Sequence, residues 1–311
     1  MSTAVDTRMR NEALLDSLMN YPAEKRGASA IDSWTRVKIY ESSFHRQIFQ
    51  PVQIADSDLD RTVESDKPVK IIDKMPDCPP AVTVPFGAMA QGYYMYAPKF
   101  LVHFVTLQSR RFRKHINELR TYRNDLRTAF SDMARKQIDF LEDRGMITAI
   151  NRALGGAAGA SSRLGSANLW QEIPDGVRRE SLQDALDIMN QAAGRLEPQI
   201  CLCTNSFLRQ IMKLGRDQIG GNMAEDTLVK GWSSGEFAKC KWVSTVKYEL
   251  IPRNRLHMLA DNEYIGKSFV LDDIALYVKR EEQWLEFYMF ETIGLTISNG
   301  YGMATADFTG V

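Results

Sequence analysis

The run FRKHINELRTYRNDLRTAFSDMARKQIDFLEDR, residues Phe112 to Arg144, organises the rest of the chain. Apolar residues recur three to five positions apart along it, at Ile116, Leu119, Tyr122, Leu126, Phe130, Met133, Ile138 and Leu141. This spacing, with charge on the other sides, predicts one amphipathic helix that continues to about Leu154. Its part from Phe112 to Arg144 alone would be about 50 Å long, and a compact chain of this size is itself roughly 50 Å across. The sequence therefore predicts an elongated subunit built along one helix.

Composition places the chain among ordinary proteins that bury a core, with 44% hydrophobic and 25% charged residues. No apolar run approaches the ~18 residues that a membrane-spanning helix needs, and residues 1–20 do not resemble a targeting peptide. Lys plus Arg equals Asp plus Glu, at 39 each, whereas dedicated nucleic-acid binders usually carry a basic excess. We therefore expect neither a membrane protein nor a dedicated nucleic-acid binder.

The region before the long helix is predicted to be extended. Residues 1 to about 35 read as an arm, and prolines exclude long helices between Pro51 and Pro98. Short β-type runs remain at Val37–Tyr40, Gln47–Ile54, Val69–Ile72, Ala81–Val84 and Phe100–Leu107. With so few bulky apolar residues in its middle, this excursion cannot build its own core. We expect it to form an extended hairpin that rests on another subunit.

After the long helix, the glycine-rich stretch Gly155–Ser166 predicts a flexible connector. A small α/β unit follows, with a helix from the capping box at Ser181 and a second helix capped by Asn205 or Ser206. Its strands are predicted at Gln199–Thr204 and Lys241–Val246. The last part of the chain is β-rich, with strands at Arg255–Leu259, Phe269–Lys279, Trp284–Met289, Ile293–Ser298 and Met303–Phe308. The fold class is α+β.

No motif for catalysis, cofactor binding or metal binding is present in the sequence. Cys201 and Cys203 are predicted to be core thiols, because further ligands at metal-site spacing are missing. The four histidines are interpreted as hydrogen-bonded or solvated side chains, at His45, His103, His115 and His257. The acidic stretches Asp56–Asp60 and Asp272–Asp273 lack the pattern of a calcium loop and are interpreted as solvated turns. The protein is not expected to be an enzyme.

Charged residues are the candidate contact sites. Basic side chains are concentrated at the start of the long helix, at Arg110, Arg111, Arg113, Lys114, Arg120, Arg123 and Arg127. We expect them to pair with acids of a neighbouring subunit, and contact with nucleic acid is the alternative. A conceivable acidic partner is the predicted hairpin segment with Asp56, Asp58, Asp60 and the adjacent Arg61.

The order of the predicted elements resembles that of the major capsid proteins of tailed bacteriophages. This order is an arm, a hairpin, a long helix, a glycine-rich connector, an α/β unit and a β-rich C-terminal part. This fold is shared with herpesvirus shells and with the cellular nanocompartments called encapsulins. The stretch of sequence that is most similar to this family runs from Gly266 to Phe308, GKSFVLDDIALYVKREEQWLEFYMFETIGLTISNGYGMATADF. Val82–Gly87, which precedes the strand leading to Asn117–Tyr122, is also similar.

The resemblance implies five segments. They are an N-terminal arm (1–36), an extended E-loop hairpin (37–108), the P-domain spine helix with its connector (109–166), an α/β A domain (167–246) and the C-terminal P-domain strands (247–311). The arm and the E-loop would lie across adjacent subunits.

The function implied is a head protein that self-assembles, through hexamers and pentamers, into an icosahedral shell around double-stranded DNA. It would bind that DNA without sequence specificity and would use no cofactor or membrane. A separate scaffolding protein, a portal and a decoration protein are the implied partners, with assembly in the host cytoplasm and a final location in the virion capsid. The alternatives are an encapsulin-like shell protein and an oligomeric enzyme with a site between subunits.

Overall fold

A computed structural model describes residues 43–61, 67–75, 81–89, 91–96, 99–121, 126–155, 169–214, 235–237 and 239–309 of the protein. The predicted arm and the predicted strand Val37–Tyr40 lie outside these ranges, as does most of the glycine-rich connector. The helices of the described ranges are α1 (Phe44–Ile48), α2 (Ile116–Thr121), α3 (Leu126–Ala153), α4 (Arg179–Gln191), α5 (Asn205–Met212) and α6 (Asn262–Ile265). The strands are β1 (Val52–Gln53), β2 (Asp60–Arg61), β3 (Pro68–Asp73), β4 (Lys99–His103), β5 (Val105–Gln108), β6 (Phe112–His115), β7 (Trp170–Ile173), β8 (Ile200–Thr204), β9 (Gly235–Phe237), β10 (Cys240–Thr245), β11 (Arg255–Leu259), β12 (Gly266–Glu281), β13 (Trp284–Ile297) and β14 (Met303–Phe308). The arrangement is α+β, as predicted.

The longest strands, β12 and β13, form an antiparallel hairpin. Strand β1 extends this sheet beside β12, and β5 and β6 extend it beside β13; we call it the hairpin sheet. The sequence predicts two separate strands where the single strand β13 runs, with a break at Gly294, and this break is wrong. A Cβ at Gly294 would lie only 2.9 Å from the Val102 side chain, so the glycine permits close packing instead of ending the strand.

Helix α3 lies on one face of the hairpin sheet and corresponds to most of the predicted long helix. Its Ala134 and Ile138 are buried against Leu276 and Met289 of the hairpin, which confirms that the helix faces the C-terminal strands. The predicted apolar stripe is wrong at Met133, whose side chain is 43% exposed. Its neighbour Ala134 faces the sheet instead.

The predicted start of the long helix is a strand. Phe112–His115 forms β6, antiparallel to β13, and the Phe112 ring stacks on that of Phe130 at 5.3 Å. The local sequence fits a helix, but pairing with β13 satisfies the backbone and partly buries Phe112, a gain that no local pattern reveals. The helical part is described as α2 and α3, and residues 122–125 between them lie outside the description.

A second sheet has the strand order β7-β14-β11-β8-β10-β9. The pairs β8–β10 and β7–β14 are parallel, and the other pairs are antiparallel. Side chains from this sheet, α1, α4 and α5 form one large core with the last turns of α3, which contribute Met146, Ile147, Ile150 and Leu154. Helix α3 therefore connects two hydrophobic cores, one at each sheet.

The six-stranded sheet crosses the predicted division at residue 246. Strands β11 and β14, on the C-terminal side of that division, pair with β8 and β7 on the other side.

Two helix starts also differ from the prediction. Thr204 caps α5 by accepting a hydrogen bond from the Phe207 N–H, one residue before the predicted caps. Helix α4 begins at Arg179, so Ser181 lies inside its first turn.

The region predicted as an extended hairpin contains a three-stranded antiparallel sheet, β2-β3-β4. The predicted strand Val69–Ile72 is confirmed, and Phe100–Leu107 forms the two strands β4 and β5. The predicted strand Ala81–Val84 is wrong, since these residues pair with no strand in the described part of the chain. The strand predicted at Gln47–Ile54 is wrong in its first half, where α1 ends. Phe44 and Ile48 are four residues apart, so both face the same side of α1 and pack into the main core.

Candidate functional site

A group of charged side chains is buried where α1, α3 and β13 meet. Arg46 of α1 donates two hydrogen bonds to Glu142 of α3, from Nε at 3.1 Å and from Nη2 at 2.8 Å. The same Nη2 lies 2.5 Å from Oε1 of Glu291 on β13. Both glutamate side chains are at most 1% exposed. One guanidinium therefore contacts two buried carboxyl groups.

These two carboxyl groups hold different protonation states near neutral pH. Burial raises the pKa of Glu291 to about 9, and a hydrogen bond to Glu142 and repulsion from it act in the same direction. Burial also disfavours charge on Glu142, but the hydrogen bonds and the positive charge of Arg46 oppose burial, and the pKa of Glu142 is held well below its usual range. Glu291 is therefore the protonated member of the pair, and Glu142 is the carboxylate.

Asp143, next to Glu142 on α3, links three parts of the fold. Its carboxylate accepts hydrogen bonds from Ser43 Oγ at 2.6 Å, from the His45 backbone N–H at 2.9 Å and from Lys247 Nζ at 2.6 Å. Ser43 and His45 lie at the N-terminus of α1, so Asp143 accepts from one backbone N–H that would otherwise be unpaired there and from the Ser43 hydroxyl. Lys247 follows β10 of the six-stranded sheet.

Sequence reasoning missed this cluster. It predicted an apolar stripe with charge on the other sides of the helix, and did not foresee that three of the acids there, Asp139, Glu142 and Asp143, are buried. Burial, followed by repulsion from Glu142, raises the pKa of Asp139 to about 6. A signal was present, because these acids continue the three-to-four-residue spacing that leads into Met146. Their cationic partners, at positions 46 and 247, are too distant in sequence to be found by pattern.

The predicted basic contact residues lie on more than one element. Arg111 precedes β6 and Arg113 belongs to it, and both contact the buried Glu286 of β13, with Arg111 Nη1 at 3.9 Å and Arg113 Nε closer. Lys114 pairs with Glu118 at 2.9 Å. Arg110 is exposed, and its backbone N–H donates to the Gln137 side chain. The side chains of Arg120, Arg123 and Arg127 lie outside the description.

The predicted acidic contact residues are exposed. Asp56 and Asp58 lie in a 3₁₀ turn, and Asp60 and Arg61 form β2. The Lys70 Nζ of β3 is 3.8 Å from the Asp58 carboxylate. Among the side chains that the structure describes, no ion pair joins these acids to the predicted basic residues.

A second exposed feature is the uncharged segment of residues 81–96, which we call the apolar segment. The exposed fractions of Val82, Phe86 and Tyr94 are 76%, 112% and 86%. Met89, Tyr93, Met95 and Tyr96 are also exposed. Exposed apolar surface of this extent marks interaction sites in soluble proteins.

The face of the hairpin sheet opposite α3 is aromatic. Side chains alternate along a strand, so Tyr277 and Tyr288 point away from the helix that their neighbours Leu276 and Met289 contact. The Tyr277 ring stacks on Tyr288 at 5.6 Å and on Phe290 at 4.4 Å. The Arg111 guanidinium lies 5.4 Å from the centre of the Tyr288 ring. Arg111 thus belongs to an aromatic sheet face and not to a helix.

Two of the cysteines and one histidine are buried inside the six-stranded sheet's core. Cys201 and Cys203 are buried in β8, as expected of core thiols. His257 is buried beside Thr305, with Nδ1 2.9 Å from the threonine Oγ1, and burial, followed by the charge of Arg255, lowers the pKa of His257 to about 3. Over the ranges that the structure covers, no helix has both the length and the apolar character that crossing a bilayer requires.

No protein-family model matches the sequence, and no curated protein matches it either. Solved structures match nearly the whole chain. The capsid structure of the cyanophage P-SCSP1u has 12% identity and a TM-score of 0.59, covering 89% of this chain and 92% of its own. The capsid of the native GTA particle has 10% identity and a TM-score of 0.60, covering 88% and 93%.

A virus-like particle from Pyrococcus furiosus has 15% identity and a TM-score of 0.51, covering 91% of this chain and 98% of its own. At these identities the likeness concerns the fold alone. The pairing of a long helix with the β12–β13 hairpin, beside a six-stranded sheet with its own helices, agrees with it. The chain therefore has the α+β fold of the phage capsid proteins to which its structure is similar.

Proposed function

We propose that the protein is the major capsid protein of a tailed bacteriophage. It self-assembles into an icosahedral shell around double-stranded DNA and has a structural, non-catalytic role in the virion capsid. The observation that supports this most is the fold match to phage capsid structures over 89% of the chain. The exposed apolar segment also supports it, because a lone subunit would leave that surface in water.

The proposed division of the chain follows the capsid-protein resemblance. Residues 1–36 are the arm, 37–108 the E-loop region, 109–166 the spine helix and connector, 167–246 the A domain and 247–311 the C-terminal P-domain strands. In this division β11 and β14 enter the A-domain sheet from the C-terminal segment, so the A and P domains are joined by more than one chain crossing.

The proposed partners are other copies of this chain, in hexamers and pentamers, with a separate scaffolding protein, a portal and a decoration protein. DNA is enclosed without sequence-specific binding, and assembly takes place in the host cytoplasm. The described basic residues are compatible with this, because Arg111 and Arg113 are already paired with Glu286.

Electron microscopy tests the proposed function. Particles from the native source should be large, DNA-filled icosahedral heads. Small empty or protein-filled shells would favour the encapsulin-like alternative, for which the similarity to a virus-like particle gives some support. A discrete small oligomer that turns over a substrate would instead favour an enzyme with a site between subunits.

The apolar segment is predicted to be essential for assembly and not for folding. In the double variant Phe86→Ser/Tyr94→Ser, we expect folded subunits that form few or no particles, because both side chains are exposed in the subunit and would be buried only by a neighbour. The thermal unfolding temperature of the subunit should be unchanged. The number of particles is counted by negative-stain microscopy. Gln91→Ser, in the same segment, is the matched control and should assemble normally. Normal particle yield in the double variant would refute the role of this segment.

The acidic residues Asp56, Asp58 and Asp60 are proposed to pair with basic residues of an adjacent subunit. Exposed ion pairs contribute roughly 0.2–1 kcal/mol each, so replacing all three by asparagine should raise the concentration needed for assembly several-fold. Light scattering across a salt series measures this. The threshold of the original protein should rise with salt, whereas that of the triple variant should change little. Equal salt dependence in both proteins would contradict the pairing.

A further inference from the structure

The buried cluster at Arg46 joins three elements through a single cation. Its guanidinium contacts Glu142 on α3 and Glu291 on β13 through the same Nη2, at 2.8 and 2.5 Å. Both carboxyl groups are at most 1% exposed, and one guanidinium cannot neutralise two buried carboxylates, so one of the two keeps a proton. Arg46 is itself part of the five-residue helix α1, to which residues 1–42 lead.

Arg46 is the cation that the structure pairs with Glu291. Within the described part of the chain, the titratable or charged groups that face the cluster are His45 and Arg46 of α1, Arg135, Asp139, Glu142 and Asp143 of α3, Asp273 of β12, Glu291 of β13, and Lys247 after β10. The Lys247 Nζ lies 2.6 Å from the Asp143 carboxylate, and the Lys247 side chain is 14% exposed. Its charge is therefore already paired with Asp143. Asp273 adds further negative charge near Glu291.

We propose that the proton held by the Glu142–Glu291 pair is a latch that holds helix α1 against α3 and β13. When the proton leaves, two buried carboxylates face one guanidinium. Repulsion between like charges is strong where water is excluded. The arrangement relaxes most readily at α1, because a helix of five residues has little stability of its own and Arg46 is the most exposed member of the trio.

The pH window follows from the direction of the shift. The pKa of Glu291 is about 9 in the folded protein, above the ordinary value of a glutamate. Its proton therefore stabilises the folded state fully below the ordinary carboxyl pKa, and this stabilisation is lost as the pH rises towards about 9. Glu142 behaves in the opposite way and would lose its contribution only in acid. The latch thus opens on the alkaline side.

Hydrogen exchange of the full-length, unassembled chain tests the latch, and its result does not depend on shell formation. After correction for intrinsic exchange, α1 amides should exchange at least about tenfold faster at about pH 10 than at about pH 7, corresponding to one pKa unit or more. In Glu291→Gln the neutral amide cannot ionise, so the increase should be absent. Glu286→Gln, a buried acid on the same strand paired with Arg113, is the matched control and should retain the increase.

Glu142→Gln provides a second test if the first variant does not fold. Glu291 would then have Arg46 to itself, without a second carboxylate, and the alkaline increase should again disappear. Retention of the increase in either variant would overturn the proposal. So would the absence of any alkaline increase at α1 in the original protein, a result that needs no variant.

Discussion

Replacement of Ile138 by aspartate is expected to prevent the subunit from folding. Ile138 is fully buried between α3 and the hairpin sheet, in contact with a cluster that includes Leu276 and Met289. The new carboxylate would have no cation among these apolar neighbours, and burying an unpaired charge costs more than about 4 kcal/mol. Yield of soluble protein and its circular dichroism would measure the effect.

Met133→Asp is the matched control for this prediction. Met133 lies on the same helix, five residues earlier, but its side chain is 43% exposed. The control should fold with a free energy of unfolding within about 0.5 kcal/mol of the original, as is usual for surface positions. A soluble, fully folded Ile138→Asp protein would show that α3 does not pack on the hairpin as described.

Removal of the Asp143 carboxylate is expected to destabilise the subunit strongly. In Asp143→Ala, the mostly buried Lys247 ammonium, the Ser43 hydroxyl and the His45 N–H would all lose their Asp143 acceptor. Breaking a buried ion pair by removing one partner typically costs about 3–5 kcal/mol. Urea unfolding of the unassembled subunit would measure the loss, and hydrogen exchange should show that α1 loosens first.

Two further variants separate this effect from a general loss of charge. Asp132→Ala removes the same side chain from a half-buried position on α3 and should change stability little. In Asp143→Ala/Lys247→Met, the unpaired ammonium is also removed, so part of the lost stability should return. A double-mutant cycle with no coupling between positions 143 and 247 would contradict the contact between them.

Local pattern predicted the order of the elements and much of the fold. The long helix, the strands of the β-rich C-terminal part and the two helices of the α/β unit all have strong periodicity or caps, and these signals come from residues close in sequence. The errors occur where a distant partner outweighs local preference. Phe112–His115 becomes a strand because β13 pairs with it, and β13 continues through Gly294 because Val102 approaches there.

The candidate sites were only partly predictable. The exposed acids Asp56, Asp58 and Asp60 are where an acidic turn was expected, but their pairing with a neighbour stays a prediction. The basic run was treated as one helical face, whereas Arg111 and Arg113 lie on a sheet edge and contact Glu286. The buried charge cluster was not foreseen, since an acid on a polar helix has the same pattern whether it is solvated or paired.

The sequence by itself determined an α+β fold with a long helix and an order of elements similar to capsid proteins, and it predicts an elongated subunit with a proline-rich excursion that cannot form its own core. These properties follow from periodicity, proline positions and composition, which act over short distances along the chain. Only the tertiary structure decided that Phe112 begins a strand, that Ala134 and not Met133 faces the sheet, and that Asp139, Glu142 and Asp143 are buried. Each of these depends on contacts between residues far apart in sequence, whose energies no local pattern records.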